Sequence, residues 1–168
     1  SQGPLWSSGG ERGLYKSIDG GNTWKQTMNL DELTGVTDLV IDPRNPEILY
    51  AASWQRQRNV AAYLGGGPGT ALYKSTDGGN NWKKLTTGLP WDNEEPEEIS
   101  TIAGAGKIGL AISPIDPDVL YAAIELNRRN GAVYRSSDRG ESWIKMSDTV
   151  SGGTGPHYYQ ELVASPHV

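Results

Sequence analysis

One eleven-residue pattern occurs three times in this chain and constrains the fold more than any other feature. The copies are LYKSIDGGNTW at 14–24, LYKSTDGGNNW at 72–82 and VYRSSDRGESW at 133–143. They share the frame apolar–Tyr–basic–Ser–x–Asp–x–Gly–x–x–Trp. A second pattern alternates with it, as IDPRNPEILYAA at 41–52 and ISPIDPDVLYAA at 112–123. Such periodicity indicates supersecondary units that repeat along the chain and stack on one another.

Alternating apolar residues and turn residues predict four strands in each unit. Strand A lies at 36–42 and 107–113, and strand B at 48–53 and 119–124. Strand C opens the Asp-containing pattern, as at 71–75, and strand D begins at its Trp. Repeated sets of four antiparallel strands are the blades of a β-propeller. The sequence therefore predicts an all-β fold: a β-propeller segment of three four-stranded antiparallel blades, with strand order BCD-ABCD-ABCD-A.

The whole chain, 1–168, is predicted to form this single propeller segment. The first blade spans 4–28, with LWSS at 5–8 as its strand B, and is closed by a strand A at 157–165 or by a neighbouring chain. The second blade spans 35–87 and the third 106–147. Known propellers have about four to eight blades. We therefore expect a segment of a longer chain or, as the alternative, two copies that form a six-bladed ring.

The residues of the repeated pattern are interpreted as structural. An Asp can fix a tight turn by accepting backbone N–H groups, the Gly permits positive φ, and the Trp buries a large ring. A catalytic role for the repeated Asp is not expected, because catalysis needs one unique arrangement of residues. A calcium site is not expected either, because the pattern lacks the spacing of oxygen ligands found in calcium-binding loops. We predict no metal and no cofactor. The structural set is Ser17, Asp19, Gly21, Trp24, Ser75, Asp77, Gly79, Trp82, Ser136, Asp138, Gly140 and Trp143.

Charge and composition exclude several function classes. The net charge is −5 at pH 7, whereas a nucleic-acid-binding protein needs a basic face to neutralise phosphates. The chain has no Cys, so it has neither a disulfide nor a thiol nucleophile. No apolar run approaches the roughly 18–20 residues of a membrane span. We therefore predict neither nucleic-acid binding nor a membrane span.

The repeated pattern resembles the Asp-box, or bacterial neuraminidase (BNR) repeat. This repeat occurs in sialidases, xyloglucanase-type glycoside hydrolases, sortilin-type receptors and photosystem assembly factors. The segments 51–82 and 147–166 further resemble large secreted bacterial proteins described as sortilin-like or glycosyl-hydrolase-like repeat proteins. The resemblance implies an extracellular or periplasmic location and makes carbohydrate binding an expectation.

Catalytic residues of these families do not carry over by resemblance. In xyloglucanase-type enzymes a catalytic Asp follows strand B in an Asp-Ile-Gly-Gly stretch. The matching stretches here begin at Ser53 and at Ile124. The Arg-Ile-Pro segment of sialidases is also missing from this sequence. Both differences argue against hydrolase activity of this segment.

The B–C and D–A loops are expected to open on the face opposite the Asp-containing turns. Because the insertions fall in these loops, a ligand site is expected there. Arginines at matched positions of two B–C loops would bind carboxylates or a sugar acid. Alternatively they are solvated loop charges or form salt bridges to the acidic loop at 89–101. Trp91 is either a platform for a sugar or packed on its own loop. The candidates are Arg56, Arg58, Arg128, Arg129, Trp91, His157, Tyr158 and Tyr159.

The acidic run at 89–101 leaves the function class open. It would bind a cation or a basic partner, or supply paired carboxylates for glycoside hydrolysis, although runs of like charge are usually solvated. We favour a non-catalytic binding or scaffold role in which the loop face recognises protein or glycan. The alternatives are part of a xyloglucanase- or sialidase-like glycoside hydrolase, and a self-assembling half-propeller. Expected partners are the remaining blades of a longer chain or a second copy.

Overall fold

The computed structural model of this chain describes residues 1–91, 104–127, 130–150 and 162–166. Within these residues the regular elements are twelve β-strands, and no helix is long and apolar enough to cross a membrane. The strands are β1 (Leu14–Lys16), β2 (Lys25–Met28), β3 (Thr34–Ile41), β4 (Leu49–Gln55), β5 (Gln57–Arg58), β6 (Tyr63–Leu64), β7 (Leu72–Ser75), β8 (Lys83–Leu85), β9 (Ile108–Ile112), β10 (Leu120–Asn127), β11 (Asn130–Ser136) and β12 (Ile144–Val150).

The main strands form three antiparallel sheets that follow the sequence repeats. The first sheet contains β1 and β2, the second has the order β3-β4-β7-β8, and the third has the order β9 to β12. We call residues 1–28, which contain the first sheet, the first unit. The hairpin β5–β6 lies within the connection from β4 to β7. Two meanders of four antiparallel strands, the first of them interrupted by the β5–β6 hairpin, confirm the predicted all-β propeller fold.

The main core lies between the second and third sheets. Tyr50, Leu72 and Leu85 of the second sheet pack in one cluster with Ile108 and Ile124 of the third. These residues come from alternate positions of their strands, because successive side chains of a strand point to opposite faces of the sheet. A smaller cluster joins the first and second sheets. Its members are Met28, Val36 and Ala51, with Leu14, Leu30, Tyr73 and Trp82 packed against them.

The first unit differs from the prediction, because residues 5–8 form no strand. The N–H of Gly13 donates to the carbonyl of Ser1, and Gln2 pairs with Arg12 in an isolated antiparallel bridge. This register puts Ser1 and Gln2 in the position of strand B. Residues 3–11 are therefore the B–C loop, and the apolar LWSS at 5–8 belongs to that loop.

The predicted strand A at 157–165 falls partly outside the described residues. Of this segment the structure describes 162–165, which form no regular element. They line a groove against the outer face of the third sheet, beside Ala111, Tyr121 and Val133. Closure of the first blade by this segment stays a prediction.

Candidate functional site

The repeated pattern forms the same tight turn in all three sheets. We call the turns at 17–24, 75–82 and 136–143 the motif turns. In the second, the Ser75 hydroxyl donates to Asp77 Oδ1 (2.8 Å) and accepts the N–H of Gly79 (2.9 Å). Asp77 Oδ1 also accepts the N–H of Asn81 (2.9 Å), and the indole N–H of Trp82 donates to the Gly79 carbonyl (3.0 Å). The carboxylate thus closes a turn within its own hairpin.

The other two motif turns repeat these contacts. Ser17 and Ser136 donate to Asp19 and Asp138 at 2.8 and 2.7 Å, and accept the N–H groups of Gly21 and Gly140 at 2.8 Å each. The indoles of Trp24 and Trp143 donate to the same glycines. Hydrogen bonds from the side chain and backbone of Thr23, and from Ser17, lower the pKa of Asp19 to about 2. Hydrogen bonds from Asn81 and Ser75 do the same for Asp77. These carboxylates are acceptors of hydrogen bonds and are poor proton donors or bases at neutral pH.

The loop face lies at the opposite end of the sheets. It consists of residues 3–11, the connection 56–71 and the last residues of β10. Arg56 follows β4, and its N–H donates to the carbonyl of Leu33 (3.1 Å). Its guanidinium lies 5.1 Å from the ring centroid of Trp54, a buried residue whose indole N–H donates to Gly65 (2.7 Å). Arg56 is therefore held at this face by its backbone and by a cation–π contact.

A second arginine–tryptophan pair lies at the surface of the loop face. The N–H of Arg58, in the β5–β6 hairpin, donates to the carbonyl of Leu5 (2.9 Å). Its guanidinium lies 5.1 Å from the ring centroid of Trp6, and Trp6 is 61% exposed. The sequence did not identify Trp6, because residues 5–8 were assigned to strand B. Its position in the Gly- and Ser-rich stretch GPLWSSGG was the signal that could have placed it in a loop.

A buried arginine organises the loop that carries Trp6. Arg12 is 1% exposed, and its guanidinium donates hydrogen bonds to five backbone carbonyls. The acceptors are Gln2, Pro4, Ser7, Gly9 and Leu33. Because buried carbonyls need partners, this side chain replaces the missing strand pairing of residues 3–11.

One buried carboxyl group lies at the loop-face end of the third sheet. Glu125, on β10, is 5% exposed, and its Oε2 has no hydrogen-bond partner among the described residues. Burial raises its pKa to about 7, against the opposing effect of a backbone hydrogen bond from Lys107. The carboxyl packs so closely on Gly106 that any side chain there would collide with it. Glu125 therefore keeps its proton well above the ordinary pH range of a glutamate.

Tyr63 lies within electrostatic range of Glu125 and of the two arginines. This residue of β6 is partly exposed, and burial raises its pKa to about 12. It interacts electrostatically with Arg56, Glu125 and Arg58. The loop face therefore combines a protonated carboxyl, a phenol, two guanidinium groups and an exposed indole.

The described residues do not place two buried carboxyl groups together. Besides Glu125, the buried acid is Asp42, which follows β3 at the opposite end of the sheets. Asp42 is bonded to Arg44 at 2.9 Å. The carboxyl spacing that glycoside hydrolysis needs is thus not formed by these two groups. Within the described residues no group of three or more His, Asp or Glu could hold a metal ion.

The structure brings part of the predicted site together. Arg56 and Arg58 lie on the loop face, each over a different Trp. Trp91 is partly buried against the main core and donates its indole N–H to the Leu85 carbonyl (2.7 Å). The remaining predicted residues lie outside the described ranges, as does most of the acidic run: these residues are Arg128, Arg129, His157, Tyr158 and Tyr159.

No family model matches the chain. A xyloglucanase from a Paenibacillus species is 25% identical over 126 residues, which are 72% of this chain and 10% of that protein. A probable oligoxyloglucan-reducing end-specific xyloglucanase from Neosartorya fischeri is 33% identical over 94 residues, covering 52% of this chain and 10% of that protein. The photosystem II assembly lipoprotein Ycf48 of a Synechococcus species is 28% identical over 145 residues, covering 86% of this chain and 34% of that protein.

A solved structure is similar to the fold. The GH74 enzyme of Niastella koreensis matches with a TM-score of 0.56 and 20% sequence identity, over 83% of this chain and 18% of that chain. This chain spans about a tenth of the two xyloglucanases and about a third of Ycf48. The chain is therefore a β-propeller segment, and its sequence is related to those of xyloglucanases and of Ycf48.

Proposed function

We propose that this chain is a carbohydrate-binding segment of an exported Asp-box propeller protein, and that it binds glycan on its loop face without performing hydrolysis. The observation that carries the proposal is the exposed indole of Trp6 with the guanidinium of Arg58 stacked upon it at 5.1 Å. Aromatic rings offer sugars a flat apolar surface, and the neighbouring guanidinium supplies hydrogen-bond donors. A site of this kind suits a ligand with both C–H faces and hydroxyl groups.

The platform is held in place before any ligand binds. Arg12 fixes the loop that carries Trp6, and Arg58 is anchored through its N–H to Leu5 in the same loop. A site that is already ordered loses less conformational entropy on binding. Arg56 and Tyr63 extend the polar surface beside this platform and offer further donors to hydroxyl or carboxylate groups.

The relatives support the ligand class and the location. Two of them are named as xyloglucanases, so xyloglucan oligosaccharides are the first probe to use. A third is named as a lipoprotein, which agrees with an extracellular or periplasmic location. The non-catalytic role rests on Ser53 and Ile124 at the positions that match a catalytic Asp, and on the separation of Glu125 from Asp42.

Isothermal titration with a xyloglucan oligosaccharide and with an oligogalacturonate tests this proposal. We expect binding of the neutral sugar and a loss of about tenfold or more in affinity for Trp6→Ala. Trp24→Ala is the matched control, because Trp24 is 63% exposed but lies in a motif turn at the other end of the sheet. Unchanged affinity of Trp6→Ala would show that the platform is not the binding surface. Preference for the acidic sugar would move the main contact to the arginines.

Glu125 supports a second candidate, a hydrolase that uses this residue as proton donor. Its raised pKa keeps it protonated near neutral pH, as a general acid requires. The test is product release from xyloglucan oligosaccharides, followed by mass spectrometry, for the wild type and Glu125→Gln. Release that disappears in Glu125→Gln would establish the hydrolase. Binding without release would support the non-catalytic role.

A further inference from the structure

Arg56 carries a buried N–H group that lacks an acceptor. Its Nε atom is buried and has no hydrogen-bond partner among the described residues. The side chain is nevertheless held in place, because the backbone N–H of Arg56 donates to Leu33 and the guanidinium contacts Trp54. A buried donor without an acceptor costs free energy. This N–H group therefore needs an acceptor that the described residues do not supply.

A second guanidinium group lies close to the first. Arg58 is exposed and contacts the ring of Trp6, and in the β5–β6 hairpin it pairs directly with Tyr63. Tyr63 interacts electrostatically with both arginines. A guanidinium stacks on an aromatic ring through its flat face, which leaves the N–H groups at its edges able to donate. The hairpin thus presents two sets of N–H donors around one phenol.

The acids near the hairpin do not occupy these donors. Among the described residues, neither Arg56 nor Arg58 forms an ion pair. Asp31 instead accepts the N–H of Leu33 and the hydroxyl of Thr34, each at 2.7 Å. Glu125, whose pKa burial raises to about 7, is uncharged below this pH. The two arginines therefore keep their charge without a carboxylate partner from these residues.

The buried Arg12 adds to the positive charge at this place. Burial lowers the pKa of Arg12, the positive charge of Arg56 lowers it further, and Asp31 opposes both effects. Arg12 has used its donors on backbone carbonyls, which carry no net charge. Like charges at close range disfavour each other unless an anion lies between or beside them. An anionic group is thus the acceptor that suits both the unsatisfied N–H and the local charge.

We propose that the glycan bound on the loop face carries a carboxylate, as a uronic acid does, and that Arg56 and Arg58 bind this group beside the Trp6 platform. The inference rests on the proposed glycan binding and adds an acidic substituent to the ligand. A carboxylate offers two acceptor oxygens in one plane, which match the planar N–H groups of a guanidinium. The neutral rings of the same glycan lie on Trp6, so a neutral oligosaccharide still binds, but more weakly.

A matched pair of ligands tests the inference. One is a neutral xyloglucan oligosaccharide, and the other is the same oligosaccharide with one primary hydroxyl group oxidised to a carboxylate. Isothermal titration at about pH 6, where this carboxylate is ionised, gives the ratio of the two affinities. We expect the acidic ligand to bind about tenfold more tightly or better. The ratio should fall at about 0.5 M NaCl, because salt screens exposed charges.

Arginine variants locate the carboxylate. Arg56→Gln and Arg58→Gln should each bring the ratio of affinities close to one, whatever happens to the binding of the neutral ligand. Arg56→Lys keeps the charge but removes Nε, so it should also lose most of the ratio. Lys84→Gln is the matched control, because it removes the same charge from an exposed position on β8. Circular dichroism checks that each variant is folded, and the exposed Arg58 provides the test if a change at Arg56 disturbs the loop.

The outcomes separate this inference from the proposed function. If neither oligosaccharide binds, glycan binding on the loop face is refuted and the acidic ligand with it. If both bind with equal affinity, the glycan site stands and the carboxylate is refuted. A preference for the acidic ligand that survives in both glutamine variants places the carboxylate elsewhere and overturns the role of the two arginines. A full ratio in Arg56→Lys overturns the role of the buried Nε.

Discussion

Replacement of the buried carboxyl group of Glu125 should change how stability depends on pH. The folded chain holds this proton up to about pH 7, whereas the ordinary pKa of a glutamate, as in the unfolded chain, is 4.5. Between these values the unfolded state has lost the proton and the folded state keeps it. The free energy of unfolding therefore falls as pH rises from 4.5 to about 7. Glu125→Gln keeps the shape of the protonated form and removes the titration.

The size of the effect follows from the pKa shift. A pH unit within this window costs at most about 1.4 kcal/mol, so the whole interval from 4.5 to about 7 amounts to about 3 kcal/mol. Glu125 is 5% exposed, so solvent screening removes little of this value. Tyr63, which interacts with the carboxyl, has a pKa of about 12 and stays neutral throughout. As the pH rises from 4.5 to 8, the free energy of unfolding of Glu125→Gln should therefore increase by about 3 kcal/mol relative to that of the wild type.

Urea unfolding of both proteins at steps of roughly half a pH unit measures this gain. The difference between the two curves removes the titration of all other groups, including both histidines. Glu11→Gln is the control, because Glu11 is an exposed glutamate on the same loop face. A difference between wild type and Glu125→Gln that stays constant from pH 4.5 to pH 8 would refute the buried, protonated state of Glu125.

Three further predictions concern the turns and loops. Ser136→Ala leaves the buried N–H of Gly140 without its acceptor and should lower the free energy of unfolding by about 1–3 kcal/mol. Ser17→Ala, in an exposed turn, should lower it by less than about 0.5 kcal/mol in the same urea titration. Arg12→Met should cost about 3 kcal/mol or more, because five carbonyls lose a charged donor; a smaller loss would mean that water replaces the guanidinium. Arg139 has φ of 60°, so Arg139→Gly should be more stable than Arg139→Ala by about 1 kcal/mol, and equal stabilities would contradict backbone strain at this site.

The sequence determined most of the fold because its evidence was local. The repeated turn specifies one hairpin, and the alternating residues around it specify strands, so the second and third sheets follow the predicted order. Residues 5–8 were assigned wrongly for a physical reason: LWSS has the apolar pattern of LYAA, but the pairing of Gly13 with Ser1 decides the register. Strand pairing is a non-local property, and an isolated apolar pattern does not contain it.

The loop face was predicted less completely than the fold. Arg56 and Arg58 were identified because two B–C loops carry arginines at matched positions. Trp6 was missed because of the register of the first unit. Arg12 and Glu125 were missed because their burial depends on partners far away in the chain: Arg12 on the carbonyls of Gln2 and Leu33, and Glu125 on the entry into β9. A charged residue in the sequence does not show whether it is buried.

The two ends of the sheets differ in how much sequence change they tolerate. Each motif turn is closed by its own hydrogen bonds, and the second and third motif turns also receive a lysine side chain from the sheet before them, so a change there disturbs both the hairpin and an interface. Among the described residues, the loop face has no such repeated contact. The connection from β4 to β7 spans residues 56–71, whereas the one from β10 to β11 spans 128–129. Insertions at this end leave the stacking of the sheets unchanged. The sequence therefore repeats the same Ser, Asp, Gly and Trp at the motif turns and places its unlike side chains, Trp6, Arg58 and Glu125, at the other end.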